Sequence, residues 1–386
     1  MSETAPRILL AAVEPSADAI GASVIAALRD RAPGAELFGC GGEAMAAAGF
    51  DSAFPTNDLA VMGFTDVARV YFKALARADA LMELAAARQA DAAVFIDGWA
   101  FSRLCAGRFK KRAPATRRLK LVAPQVWASR PQRVDFVREH FDGVMCLLPF
   151  EPDWFAAAGV RARFVGNPNF QAAWRARGDG AAFRARHDLG DAPVLGLFLG
   201  SRRQEVRRHV EPFAGAAARI VEEAPGVRTI VSAAPGVIDL VRSAADDWPF
   251  EPVFVDPDEK YDACAATTAA IAVSGTITTE LAINGAAVVV AYKVDPLTAF
   301  WVRRVMTGAH ASILNVAVDA PAMPELLQED CEPAKLAAAV RALLLDPGAR
   351  EEQRAQIAPA LAGLRLDGPS AADLAAETIL EWTRGG

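Results

Sequence analysis

Two short strings, Gly200-Ser201-Arg202 with Glu205 and Ser274-Gly275-Thr276 with Glu280, each follow an apolar run and each open a stretch of helical spacing. A helix N-terminus offers unpaired backbone N–H groups and the positive end of the helix dipole, so small residues at a strand-to-helix junction let a phosphate approach the backbone. Arg202 adds a planar cation for a diphosphate, and Glu280, one turn beyond Thr276, can accept hydrogen bonds from ribose hydroxyls. Together the strings suit the diphosphate of a nucleotide sugar. Ordinary N-capping by Ser and Thr is the plainer alternative for either string alone.

Three first-half strings also follow strand-like runs: Glu14-Pro15-Ser16-Ala17-Asp18, Asp97-Gly98-Trp99 and Pro124-Gln125-Val126-Trp127. Asp97 closes the run Ala-Val-Phe-Ile-Asp, where a general base can meet a substrate hydroxyl and apolar neighbours can raise its pKa. Capping of the following helix is the alternative for Asp97, as it is for Glu14, Ser16 and Asp18. Gly21, within the next helix, suits close packing.

Short Val/Leu/Ile/Phe runs alternate with longer Ala-rich amphipathic runs, the pattern of βα units on parallel sheets. Strands are expected at 7–13, 36–38, 92–96, 119–122, 144–147 and 163–165, then at 194–199, 228–232, 253–255, 270–273 and 287–292. Helices are expected at 333–345, 350–364 and 371–384. Residues 169–192 are polar, contain Gly and Arg, and hold no strand candidate, which places a domain boundary there. In open α/β sheets ligands sit beyond the carboxyl ends of the strands, so two such domains facing one another create a cleft.

The chain has 386 residues, room for two domains. No apolar run approaches the roughly 18 residues of a membrane span. The run after Arg7 is interrupted by Glu14 and Pro15, so no secretory leader is expected and the chain is expected to stay inside the cell. Five widely spaced Cys with no C-x-x-C pair read as buried free thiols and not as a zinc site. Although net charge is −6, residues 98–134 carry ten Lys or Arg and no Asp or Glu. Such a run suits a phosphorylated lipid or an anionic membrane surface, with a solvated helix face as the alternative. Val61-Met62-Gly63-Phe64 and Val70-Tyr71-Phe72 form an apolar, aromatic segment that suits either a bilayer surface or the core. Nucleic acid is not expected, because no recognition motif accompanies the basic run.

Taken in order, these strings resemble the lipid-A-disaccharide synthase family over nearly the whole chain. Further marks are Ala123-Pro124-Gln125-Val126-Trp127-Ala128, Leu148-Pro149-Phe150-Glu151, Phe164-Val165-Gly166-Asn167-Pro168 and Pro324-Glu325-Leu326-Leu327-Gln328. The resemblance implies an α/β fold of GT-B type, two Rossmann-like domains facing across a cleft. It implies an acceptor and membrane-facing domain at 1–170, a linker at 171–192, a UDP-sugar domain at 193–365 and a last helix at 366–386 packing back on the first domain. The implied reaction joins UDP-2,3-diacylglucosamine to 2,3-diacylglucosamine 1-phosphate with inversion, releasing UDP and needing no metal or cofactor.

By the same resemblance Asp97 is the base on the acceptor 6-hydroxyl. Gly200, Ser201, Arg202, Glu205, Ser274, Gly275, Thr276 and Glu280 hold UDP. Glu14, Ser16, Asp18, Asn315, Glu325 and Gln328 line the cleft around the sugars. The enzyme would work peripherally on the inner face of the inner membrane. The chain departs from the family pattern at Ala17 (Gly), at Asn167 (His), at Gln125 and Ser129 in the Trp127 string, and at Val318-Asp319-Ala320 (Ala-Gly-Arg). A Cβ at Ala17 is strained only if φ there is positive. The alternative reading is a divergent relative that binds a UDP-sugar with an altered acceptor or without catalysis.

Overall fold

The computed structural model describes residues 5–56, 67–305 and 308–385. They divide into two compact units, residues 1–168 with 366–386, and residues 169–365. The string Val61-Met62-Gly63-Phe64 lies outside the described residues.

The first unit holds a parallel sheet of six strands: β1 (Arg7–Ala11), β2 (Glu36–Cys40), β3 (Ala92–Ile96), β4 (Arg117–Leu121), β5 (Gly143–Cys146) and β6 (Ala162–Phe164). Their order is β2-β1-β3-β4-β5-β6, so the strand order reverses between β1 and β3. Strands buried on both faces must be apolar throughout, which is why β1 and β3 read as continuous apolar runs. Phe95, Phe109 and Val144 build the core on one sheet face, and Leu10, Val94, Leu119 and Met145 build it on the other.

Helix Pro15–Arg31 opens with proline in its first turn and Asp18 near its positive end, and closes with Arg29 and Arg31. Ala17 is buried inside this helix and is not among the residues of positive φ, so its Cβ brings no strain. Gly21 allows the close packing expected of it: a Cβ there would lie 2.6 Å from Met45 Sδ.

The last helix, Ala371–Thr383, belongs to this unit although nearly two hundred residues of the other unit precede it. Ser370 and Asp373 form a reciprocal capping box. Asp373 also meets Arg31 at 2.5 Å, and with the Ser370 bonds its carboxyl is held down to about 2. Glu381 pairs with Arg161 and Arg163, and Trp382 is buried where a Cβ on Gly143 would come within 2.4 Å of its ring.

The second unit holds β7 (Val194–Phe198), β8 (Arg228–Ser232), β9 (Val253–Phe254), β10 (Ala269–Val273), β11 (Ala287–Tyr292) and β12 (Glu325–Leu327). The order is β12-β11-β10-β7-β8-β9, all parallel, with the reversal between β7 and β10. The edge strand β12 was not expected from sequence; at three half-buried residues it is too short to show a period.

Residues 171–192, expected as a linker, instead fold into this unit as helices Pro168–Ala176 and Gly180–Arg186. Their polarity has a structural use. Arg184 donates to the carbonyls of Gly190, Ala192 and Ala266, Arg186 pairs with Glu259 and Asp262, and Phe183 is buried between them. All five cysteines are free and buried, and burial pushes the Cys40 thiol up to about 12.

Candidate functional site

In the second unit the two phosphate-type strings lie side by side, because β7 and β10 are neighbours at the point where the strand order reverses. After β7 the chain turns through Gly200 at φ +86°, and helix Arg203–Glu223 begins. The turn needs glycine for its φ, and a Cβ on Gly200 would also sit 3.3 Å from Glu205 Oε2, crowding that side chain. After β10, Gly275 leads into helix Thr276–Ile283.

Neither helix has a side-chain cap. Ser274, the natural candidate, instead donates its hydroxyl to the Ala311 carbonyl at 2.9 Å, and the Thr278 hydroxyl turns back to the Gly275 carbonyl at 2.8 Å. The plain capping explanation of both strings therefore fails here, and the starts of both helices border one cavity of about 410 Å³. Gly200, Ser201, Arg202, Glu205, Ser274, Gly275, Thr276 and Glu280 all line it.

Charge in this cavity is arranged around two carboxylates. The Arg202 side chain, 79% exposed, donates to Glu205 at 3.0 Å. Glu280 is only 2% exposed and is ion-paired with the ammonium of Lys260. Lys260 heads helix Lys260–Ala266 and lines the cavity. Although burial opposes its charge, the Glu280 carboxylate wins and raises its pKa. Nothing in the sequence pointed to Lys260; only the topology brings β9's following helix to this wall. His209, buried, accepts from the Lys293 N–H at 2.8 Å and donates to the Glu205 carbonyl at 2.7 Å, which pins the helix bearing Glu205 to the end of β11. Burial lowers its pKa, so the ring stays neutral.

Asn315, Glu325 and Gln328 belong to the same unit. Glu325 accepts from the N–H groups of Ala311 and Ser312 and from the Asn315 amide, each at 2.8 Å. Asn315 is fully buried and exchanges two hydrogen bonds with Met323. Expected at the reacting sugars, these two side chains instead spend their polar atoms tying residues 311–325 into the support under Ser274. Gln328, at φ +54°, accepts from the Val294 N–H at 3.3 Å. Asp319 ends helix Ile313–Val318 in the left-handed region.

In the first unit the reversal of strand order falls between β1 and β3, so Glu14 and Asp97 leave neighbouring strands at corresponding ends. Asp97 sits at φ +47° and Gly98 at φ +47°, an unusual pair for a strand end. The Asp97 backbone is fully engaged: its N–H donates to Leu121, and its carbonyl accepts from Ser102 Oγ at 2.7 Å and Lys120 Nζ at 2.5 Å. Helix Trp99–Arg112 starts without a side-chain cap, so Asp97 does not serve as its cap. Glu14 and Ser16 are exposed. Asp18 is buried and accepts from Gly42, Ala44 and Met45, capping helix Glu43–Ala47 across the unit. Val13, Glu14, Asp18 and Thr56 line a cavity of about 360 Å³ beside it.

The Pro124–Trp127 string ends against a buried carboxylate, Glu151 of the Leu148–Glu151 string. Glu151 accepts from Trp127 Nε1 and from the N–H groups of Leu147 and Leu148, each at 3.1 Å, and burial raises its pKa to about 7.

The basic run is less bare than its sequence suggests. Asp79 pairs with Arg108 and Arg112, Glu139 with Lys110, and Asp142 with Arg118, all from other elements. Lys120 is not on that face at all but is buried. Arg103, Lys111 and His140 still line an open cavity of about 410 Å³ with Arg108 and Arg112, and Tyr71 and Phe72 stand 51% and 67% exposed on helix Val67–Ala87. Among the described residues no helix is long and apolar enough to cross a membrane, and no three His, Cys, Asp or Glu side chains gather as metal ligands.

Residues 8–379 match the model of the lipid-A-disaccharide synthetase family. The chain is 38% identical over 383 residues to the lipid-A-disaccharide synthase of Paramagnetospirillum magneticum, covering 98% of each chain. It is 39% identical over 349 residues to that of Rhodospirillum centenum, covering 90% of this chain and 87% of the relative. Among solved structures it is similar to a UDP-GlcNAc 2-epimerase from Neisseria meningitidis bound to UDP-GlcNAc, at TM-score 0.62 and 10% identity over 98% of this chain and all of that one. It is also similar to an α,α-trehalose 6-phosphate synthase from Burkholderia multivorans, at TM-score 0.59 and 13% identity over 99% and 97%. The fold shared with these structures is the GT-B fold, two Rossmann-like units, and by sequence the chain is a member of the lipid-A-disaccharide synthetase family.

Proposed function

We propose that this protein joins UDP-2,3-diacylglucosamine to 2,3-diacylglucosamine 1-phosphate, giving the β-1,6-linked disaccharide 1-phosphate and UDP with inversion at the donor carbon. Asp97 removes the proton from the acceptor 6-hydroxyl as its oxygen attacks, and the bond from the sugar to the diphosphate breaks with its electron pair leaving on UDP. A single displacement of this kind needs a base and a stabilised leaving group, and no covalent nucleophile.

The observation that carries this reading is the pair of uncapped helix N-termini at the β7 and β10 ends, with Arg202 and the Glu280–Lys260 pair on the same wall. Fixed N–H dipoles and a guanidinium hold the charge that develops on the diphosphate without reorganising. Glu280, held by Lys260, accepts from the ribose. Glu14, Ser16 and Gln328 contact the sugars, whereas Asp18, Asn315 and Glu325 shape the walls through the backbone groups they hold. The acyl chains of both substrates require delivery from a bilayer. The cavity lined by Arg103 and Lys111 and the exposed Tyr71 and Phe72 support peripheral binding at an anionic inner-membrane surface.

UDP release from the two acylated substrates in detergent, with Asp97→Asn run beside the natural protein, tests the assignment. Turnover abolished by the substitution upholds it. UDP binding with no turnover by the natural protein would instead mark a divergent UDP-sugar binder.

A further inference from the structure

Lys120 has no part in the reaction as written, yet it occupies an expensive position. Lysine is almost never fully buried, and only 1% of this side chain is exposed, on a strand flanked by β3 and β5. Its ammonium has three donors and spends all three on carbonyls: Asp97 at 2.5 Å, Leu121 at 3.1 Å and Phe95 at 3.2 Å. The carboxylates of Asp97 and Glu14 balance its charge at longer range. An aliphatic side chain would fill the strand position without desolvating a cation.

The ammonium lies at a left-handed turn of the backbone. Asp97 is in the left-handed region, a conformation that persists in a non-glycine residue only when its surroundings fix it. The two groups fixing the Asp97 carbonyl are Lys120 and Ser102.

We propose that Lys120 is a positioning residue for Asp97: through the Asp97 carbonyl it locks the left-handed turn from which the carboxylate projects. The inference rests on the reading of Asp97 as the base. It makes activity depend on the protonation of a lysine. Burial lowers the Lys120 pKa to about 8, with Asp97 and Glu14 opposing that shift. Other titratable groups on this sheet face include the Cys40, Cys105 and Cys146 thiols, whose pKa values burial raises, and Arg118, paired with Asp142. As pH rises through about 8 the ammonium is lost and the hold on Asp97 weakens, so kcat falls on the alkaline side.

Steady-state transfer by the full chain, with both acylated substrates in detergent, compares the natural protein with Lys120→Met, Lys120→Arg and Asp97→Asn. Lys120→Met is expected to lower kcat about a hundredfold, the size of a misplaced catalytic group, with the donor KM and UDP affinity within about twofold. Its alkaline decline in kcat disappears, because no ammonium is left to titrate. Lys120→Arg, which keeps the charge, recovers part of kcat.

A folded Lys120→Met that keeps kcat within about threefold and retains the alkaline decline overturns the positioning role, whatever Asp97→Asn does. Full turnover by Asp97→Asn overturns the base reading separately. Should Lys120→Met fail to fold, the natural protein decides: a kcat falling above about pH 8 upholds the proposal, and one flat to about pH 10, where an ordinary lysine titrates, overturns it.

Discussion

The ends of β1 and β3 in one unit and of β7 and β10 in the other are topologically the same place, the reversal of strand order in a parallel sheet. They are furnished in opposite ways. In the second unit the backbone is the proposed instrument: two helices begin without side-chain caps, after Gly200-Ser201 and Ser274-Gly275. In the first unit the backbone of Asp97 is consumed by Lys120, Ser102 and Leu121, leaving a side chain as the instrument. On the proposed function, one location in one kind of sheet serves binding in the second unit and chemistry in the first.

The comparison breaks first at Asp97. Asp97→Asn should lower kcat by about 10²–10⁴, the range for removing a general base, while calorimetric UDP affinity stays unchanged. A loss of UDP affinity in that variant would merge the two roles. Arg202→Ala should do the reverse, weakening UDP and donor about ten- to hundredfold, the scale of a charge-assisted contact. Titration of UDP checks it, and unchanged affinity would leave the amides as the sole diphosphate site.

Gly200→Ala sharpens the point about the open backbone. A Cβ at φ +86° and 3.3 Å from Glu205 should destabilise the second unit by about 1–2 kcal/mol and weaken UDP with it, read by thermal unfolding and titration. The smallest effect concerns His209. Its native pKa is lowered, so the unfolded chain binds the proton more readily, and stability falls as pH drops below about 6.5. Calorimetric unfolding across that range should show the slope, and His209→Gln should flatten it.

Much of this was legible in the sequence because parallel strands buried on both faces leave unbroken apolar runs, as β3, β7, β10 and β11 do. The two phosphate-type strings and Asp97 were legible for the same reason, standing at the ends of such runs. What escaped was information held across the chain. Lys120 looks like one more cation of a basic run until β3 supplies its carbonyls, and Lys260 gains meaning only from Glu280. Asn315 and Glu325 carry the residue types of a sugar-binding wall, yet their partners are backbone groups that no spacing reveals. Polar residues 171–192 resemble a linker because the partners of their Arg side chains, the Ala266 carbonyl for Arg184 and the Glu259 and Asp262 carboxylates for Arg186, lie far along the chain.

The last helix also sets an order of events during synthesis. Residues 169–365 are contiguous, so that unit can finish folding as soon as they leave the ribosome, whereas the first unit lacks one cover of its sheet until residues 371–383 emerge. Until then the surface over Gly143 that Trp382 fills stands open to water, and the earlier-made half of the protein is the later to be completed.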